Sequence, residues 1–228
     1  MSATVHQPPS APILISFAAK NGLVESLAAF IAKASKESID KKGKFTVAIS
    51  GGSLPNLLRR HVYYVDERVV PLDHPDSNHK LCKDNLWSRV SIPEDQIHPI
   101  DVNYLDDLEE LSDAYEKNLI HEFAQKDSAP TLLKAIRWVA YIEDSPKPPS
   151  KRITFTYPVI NHASRIVFKA DVLHSVLDDP EAGLPAARVK PVFPGQLYWF
   201  TDDAAAAKVT YPKTQLQTLE VDPGDYGR

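Results

Sequence analysis

KFTVAISGGSLP, residues 44–55, decides the fold class of this 228-residue chain. Lys44–Ser50 is a short run of β-branched and aromatic residues, which is typical of a buried strand. Gly51-Gly52-Ser53 then forms a turn, and Pro55 suits the first turn of a helix because its missing N–H would have no partner there. A strand that passes through a glycine turn into a helix is a building unit of α/β sheets.

The same alternation of helices and strands continues on both sides of this stretch. Apolar residues at helical spacing predict a helix over residues 21–38, and Lys41, Lys42 and Gly43 provide its end. These elements together favour an α/β fold with a mostly parallel sheet and helices on both faces. The further predicted elements are strands at 61–66, 97–100, 138–142, 152–156, 165–168 and 197–200, and helices at 79–87 (capped by Asn78), 108–127, 170–177 and 203–208.

Composition excludes several classes of function. A net charge of −4 gives no basic face for nucleic acid. The lone Cys82 cannot form an internal disulfide, and the N-terminus shows neither a secretory signal nor a membrane span. We therefore expect a cytoplasmic protein without a membrane or nucleic-acid partner, with residues 1–228 as a single domain and residues 1–12 as a flexible tail.

Two motifs could carry chemistry. Gly51, Gly52 and Ser53, placed between a strand and a helix, could form an anion cradle, although a plain tight turn is equally compatible with them. Asp66-Glu67-Arg68 ends a predicted strand, where ligands bind in open α/β sheets. Its side chains could orient a sugar hydroxyl and clamp a phosphate, or could form a surface cluster of ion pairs.

Two other segments are weaker candidates. KPPSKR, residues 147–152, is either a solvated loop or a source of Lys151 or Arg152 for the same phosphate. His74 and His79 lack a ligand set at a known metal-binding spacing, so we expect no metal site.

Three connections are shorter than the predicted elements need. A crossover between parallel strands takes at least ~10–12 residues. The connections near Arg60–His61, Thr131–Leu132 and Phe168–Lys169 leave too little chain for turns and helices. We therefore expect the chain to lack residues at these points that its fold normally has.

Four runs match one family in order and in approximate spacing. They resemble the eukaryotic 6-phosphogluconolactonases and, more distantly, the glucosamine-6-phosphate deaminases, and the likeness covers most of residues 15–211. The acidic-basic DER motif and the later Ser-Asn pair, both in the second run, are the specific features. The runs are SGGSLPNLL (50–58), YVDERVVPLDHPDSNHKLC (64–82), SKRITFTYPVIN (150–161) and PGQLYWFTDDAAA (194–206).

The resemblance implies a modified Rossmann-like fold and hydrolysis of 6-phosphogluconolactone to 6-phosphogluconate without a metal or cofactor. It also implies that Gly51–Ser53 line the substrate pocket, that Asp66 and Arg68 face the sugar phosphate, and that Arg152 holds the phosphate from the other side.

The family's general-base histidine lies in a G-x-D-G-H-T-x-S-L-F-P segment that this chain does not contain. It would fall between Thr131 and Leu132, one of the three short connections. For the chain as it stands we expect little or no turnover, with Asp66 as the remaining candidate base. The alternatives are a non-catalytic sugar-phosphate-binding relative without the histidine segment and an amino-sugar-phosphate deaminase.

Overall fold

A computed structural model describes residues 11–50, 60–89, 92–124, 136–169, 173–179, 181 and 183–214. The chain forms two compact units, one of Met1–Leu27 with Tyr157–Arg228 and the other of Ala28–Thr156. The helices are α1 (Lys20–Lys42), α2 (Asn78–Asn85), α3 (Leu108–Ala124), α4 (Tyr157–Asn161) and α5 (His174–Leu177), and the strands are β1 (Ile13–Phe17), β2 (Phe45–Ile49), β3 (Arg60–Tyr64), β4 (Asp66–Arg68), β5 (Ile97–His98), β6 (Val139–Ile142), β7 (Arg152–Phe155), β8 (Arg165–Lys169) and β9 (Gln196–Asp202).

The first unit is built on a three-stranded parallel sheet in the order β1-β9-β8. Ala11 and Pro12 are already held here, since the carbonyl of Ala11 accepts from Gln196 Nε2 at 2.8 Å and that of Pro12 from Tyr211 Oη at 2.7 Å. Ala11 and Pro12, the last two residues of the predicted tail, are therefore held by hydrogen bonds. The core cluster of this unit consists of Leu14, Ile166, Leu173, Val176, Val189, Leu197, Trp199 and Val209.

The second unit contains a parallel sheet in the order β2-β3-β5 and an antiparallel sheet in the order β4-β7-β6. The chain passes from one sheet to the other at Val65. Its N–H donates to Ile49 O at 2.9 Å, which continues the parallel ladder, and its carbonyl accepts from Phe155 N at 2.7 Å. The predicted single strand 61–66 is therefore two strands. The α/β class with mostly parallel pairing is confirmed, because two of the three sheets in the described part of the chain are parallel.

Helix α1 ends as predicted. Gly43 has φ +72°, a left-handed conformation that glycine adopts without a Cβ clash, and its N–H donates to Ile39 O at 2.8 Å. Lys41 and Lys42 occupy the last turn, where cations favour the helix dipole.

Two helix predictions need correction. Helix α2 begins at Asn78, and Ser77 is its cap, because the Ser77 side chain accepts from Lys80 N. The predicted helix at 203–208 is wrong: the segment forms successive turns. Asp202 Oδ1 accepts from Ala205 N at 2.8 Å, and the chain then turns so that Val209 joins the core. So short an alanine run cannot by itself sustain a helix.

Two of the three short connections fall on residues that the structure describes. Arg60–His61 lies inside β3 and Phe168–Lys169 inside β8, so neither bond is itself a loop. Parallel neighbours β2 and β3 are joined by the ten residues 50–59, at the lower limit of the ~10–12 that such a crossover needs. Thr131–Leu132 lies outside the described residues.

Candidate active site at strand β4 and the start of helix α2

Strands β4 and β7 bring the charged residues predicted from sequence onto one face. The antiparallel register pairs Asp66 with Thr154 and Arg68 with Arg152. Directly paired residues project from the same face of a sheet, as do residues two apart on one strand. Asp66, Arg68 and Arg152 therefore lie on one face of this sheet, although β4 and β7 are far apart in sequence.

Arg68 has one end of its guanidinium held by two hydrogen bonds, and its Nε has no partner among the described residues. Nη1 donates to Asp76 O at 2.8 Å and to Asn78 Oδ1 at 2.9 Å. Its Nε is buried and has no acceptor among the described residues. An unpaired buried donor costs about 1–3 kcal/mol, so an acceptor supplied by a ligand would be stabilising here. The parallel N–H bonds of Nε and Nη2 match two oxygens of a phosphate or carboxylate.

In Arg152, by contrast, Nε and Nη2 both donate hydrogen bonds to backbone carbonyls. Its Nε donates to Pro149 O at 3.0 Å and its Nη2 to Lys147 O at 2.8 Å, so this edge holds the 147–149 loop in place. Among the described residues, neither Arg152 nor Arg68 forms an ion pair with a carboxylate. Like charges directly opposite in a sheet repel, and a bound anion would relieve that repulsion.

Asp66 connects this face to the end of β2. Its Oδ1 accepts a short hydrogen bond from Ser50 Oγ, and Ser50 directly precedes the glycine turn. The backbone carbonyl of Asp66 accepts from Asn78 Nδ2 at 2.7 Å. Gly51, Gly52 and Ser53 themselves lie outside the described residues, so their predicted place in the pocket stays a prediction.

Glu67 points away from this face and is 1% exposed. Oε1 accepts from the backbone N–H of Arg68 (2.8 Å) and Asn78 (2.7 Å), and Oε2 from His79 N (2.8 Å) and Ser77 Oγ (3.2 Å). Burial raises the pKa of Glu67, and these hydrogen bonds oppose the rise. Glu67 therefore fastens strand β4 to the first turn of α2.

Asn78 is a residue of this candidate site that the sequence analysis did not name as a site residue, since it was assigned as a helix cap. It is 1% exposed and contacts the backbone of Asp66, the carboxylate of Glu67 and the guanidinium of Arg68. The available signal was its place in the same Ser-Asn pair that marks the family resemblance.

The two histidines of this segment have other partners. His74 Nδ1 accepts from Asp76 N at 3.1 Å, and His79 Nδ1 lies 3.0 Å from Tyr64 Oη. Burial, with a smaller contribution from Lys83, lowers the pKa of His79. No group of three or more His, Cys, Asp or Glu side chains in the described ranges is placed to hold a metal ion.

The fold and the site define an α/β protein in which Arg68 and Arg152 face each other across strands β4 and β7. The family described as glucosamine-6-phosphate isomerases/6-phosphogluconolactonase matches residues 18–133 and 127–199. The chain therefore belongs to this family.

Similar proteins agree with this assignment. The chain is 36% identical over 250 residues to a protein of Oryza sativa subsp. indica named probable 6-phosphogluconolactonase 3, chloroplastic, covering 86% of this chain and 76% of that one. It is 33% identical to the 6-phosphogluconolactonase of Rattus norvegicus over 257 residues (92% and 98%), and 34% identical to that of Homo sapiens over 258 (92% and 98%).

Solved structures show the same fold. The 6-phosphogluconolactonase from Trypanosoma cruzi superposes with a TM-score of 0.69 at 19% identity, covering 90% of this chain and 99% of that one. The enzyme from Thermotoga maritima gives 0.68 at 22% identity, covering 83% and 99%.

The relatives also carry residues that this chain lacks. The rat alignment runs over 257 residues but includes 92% of the 228 residues here, about 210, so about 47 positions have no counterpart. The family match is in two pieces that meet at residues 127–133, around the Thr131–Leu132 connection. The alignment lengths agree with a chain shorter than its relatives, whereas a missing histidine segment at Thr131–Leu132 stays a prediction.

No helix in the described part of the chain is long and apolar enough to span a membrane.

Proposed function

We propose that this chain hydrolyses 6-phosphogluconolactone to 6-phosphogluconate, a step of the oxidative pentose phosphate pathway, on the face of β4 and β7 that carries Asp66, Arg68 and Arg152. The observation that carries the proposal is the pair of facing arginines without carboxylate partners among the described residues. Family membership and relatives named 6-phosphogluconolactonase supply the substrate.

Arg68 is the principal phosphate ligand in this proposal, because its buried Nε has no acceptor among the described residues. Arg152 contributes charge from the neighbouring strand and shapes the 147–149 loop through its two hydrogen bonds to that loop. Gly51, Gly52 and Ser53 are proposed to line the pocket beyond Ser50, where glycines allow a ligand to approach the backbone.

The reaction requires a base to remove a proton from water as the water oxygen attacks the lactone carbonyl. The ring C–O bond then breaks, and the alkoxide oxygen takes up a proton to become a hydroxyl. Asp66 is the candidate base of this chain. General bases contribute about 10²–10⁴-fold, so a chain without the family's histidine segment should be slower than its relatives by a factor in that range.

We further propose that residues 1–228 act as one lactonase domain, without metal or cofactor, in the cytoplasm. The matched segments 18–133 and 127–199 include residues of both compact units, which supports a single functional domain. The lone Cys82 fits a reducing compartment, while the rice relative is named chloroplastic.

The test follows hydrolysis of freshly generated 6-phosphogluconolactone against its spontaneous rate, together with binding of 6-phosphogluconate. We expect a small acceleration, about 10²–10⁴-fold below that of relatives with the histidine segment, which Arg68→Ala reduces at least tenfold and which Arg188→Ala, at an exposed arginine elsewhere, leaves unchanged. Binding without any acceleration would favour the non-catalytic alternative, and release of ammonia from glucosamine-6-phosphate would favour a deaminase. The names of the relatives favour the lactonase over both.

A further inference from the structure

Asn78 is one of the two acceptors that hold the Nη1 end of the Arg68 guanidinium. Both Nη1 hydrogens of Arg68 have acceptors, one being the carbonyl of Asp76 and the other the side-chain oxygen of Asn78. A guanidinium is planar and rigid, so fixing Nη1 also fixes the direction of the Nε–Nη2 edge. The buried Nε without an acceptor lies on that edge.

Asn78 itself cannot turn easily. Its Nδ2 donates to Asp66 O at 2.7 Å, and its backbone N–H donates to Glu67 Oε1 at 2.7 Å. The residue is 1% exposed, so these bonds are sheltered from competing water. One buried side chain therefore joins Asp66 and Arg68, the two residues of β4 that the proposed function places at the substrate.

We propose that Asn78 is a positioning residue for phosphate recognition: its side-chain oxygen holds Nη1 of Arg68, so that Nε–H and Nη2–H face two oxygens of the substrate phosphate. The proposal rests on the proposed function, because the anion is taken to be the phosphate of 6-phosphogluconolactone or its product. Without the Asn78 side chain, Arg68 keeps its charge, but its guanidinium group is no longer held in one orientation.

A double-mutant cycle tests this role. Dissociation constants for 6-phosphogluconate are measured by calorimetry, and by NMR titration for weak variants, in the full chain and in Asn78→Ala, Arg68→Ala and the double variant. We expect Asn78→Ala to weaken binding about tenfold when Arg68 is present. With Arg68 already removed, the same change should alter binding less than twofold, because there is no guanidinium left to orient.

Asn85→Ala is the matched control. Asn85 lies on the same helix, and its Nδ2 donates to Leu81 O at 2.8 Å on an exposed surface. It should leave the dissociation constant within twofold. A similar loss from Asn85→Ala would overturn the proposal, since any weakening of α2 would then have the same effect.

A second measurement needs no variant at position 78. In the NMR spectrum of the unaltered chain, the Nε–H signal of Arg68, assigned by its absence in Arg68→Ala, should shift on adding 6-phosphogluconate but not gluconate. An unshifted signal, or an Asn78→Ala effect of equal size in both backgrounds, would overturn the role of Asn78 while leaving the proposed function intact. Failure of the unaltered chain to bind 6-phosphogluconate at all would instead reject the proposed function, and this inference with it.

Discussion

Replacing Glu67 by alanine removes the acceptor of four hydrogen bonds at the junction of β4 and α2. Two of the donors, Ser77 Oγ and Asn78 N, belong to residues that are 1% exposed, so in the unaltered chain they bond to the carboxylate and not to bulk water. An orphaned buried donor costs about 1–3 kcal/mol. Water entering the vacated space would recover part of that, so we expect a loss of about 2–4 kcal/mol in the free energy of unfolding.

Glu67→Gln should cost less than Glu67→Ala. The raised pKa of Glu67 shows that desolvation of its charge opposes folding, and a neutral amide avoids that cost. The amide oxygen can also keep the two bonds made by Oε1. Its NH₂ group, however, would face the N–H of His79, which leaves at least one donor without an acceptor. We therefore expect the order of stability to be unaltered chain, glutamine variant, alanine variant.

Urea unfolding followed by tryptophan fluorescence measures these differences. With a slope of about 2 kcal/mol per M, the midpoint should fall by about 1–2 M for Glu67→Ala. Glu143→Ala, at an exposed glutamate just after β6, should change the free energy of unfolding by less than about 0.5 kcal/mol. A Glu67→Ala midpoint within 0.2 M of the unaltered chain would refute the reasoning, because the four bonds could then not be fastening β4 to α2.

Three further predictions follow from the remaining buried groups. Burial raises the pKa of the Cys82 thiol to about 12, so a thiol reagent at pH 8 should label it only after unfolding in urea; labelling of the native chain would contradict this. Burial lowers the pKa of His79 and of His98, so the unfolded state takes up protons first as the pH falls below their ordinary value of 6.5. The melting temperature should therefore be highest above pH 6.5 and should fall as the pH is lowered toward 5. The fall should be smaller in His98→Gln. A melting temperature independent of pH over this range would contradict the contribution of the two histidines. A Cβ at Gly195 would lie 2.7 and 2.8 Å from two backbone oxygens, so Gly195→Ala should destabilise the chain by about 1–3 kcal/mol. The control Gly22→Ala, in helix α1 with its nearest contact at 3.9 Å, should instead stabilise it by about 0.5–1 kcal/mol in the same melts.

Local patterns were sufficient for much of the fold. The helical spacing of apolar residues and the stop at Gly43 predicted α1, and β-branched runs predicted β2, β7, β8 and β9 to within about two residues. Such features depend on near neighbours, so they can be read along the chain. The same approach failed at residues 203–208. Their alanine content favoured a helix, but the segment forms turns, after which Val209 packs into the core.

The sequence by itself also predicted that Asp66 and Arg68 lie at a strand end, and the family resemblance implied that Arg152 holds the substrate phosphate. Only the tertiary structure showed how they meet: the chain changes sheets at Val65, and this puts Arg68 opposite Arg152 in the β4–β7 register. Strand register joins residues distant in sequence, and no local pattern specifies which pairs face each other. The contacts of Asn78 likewise appear only in the tertiary structure. Its hydrogen bonds to Arg68 and Asp66 depend on how helix α2 lies against strand β4, which the sequence pattern does not show.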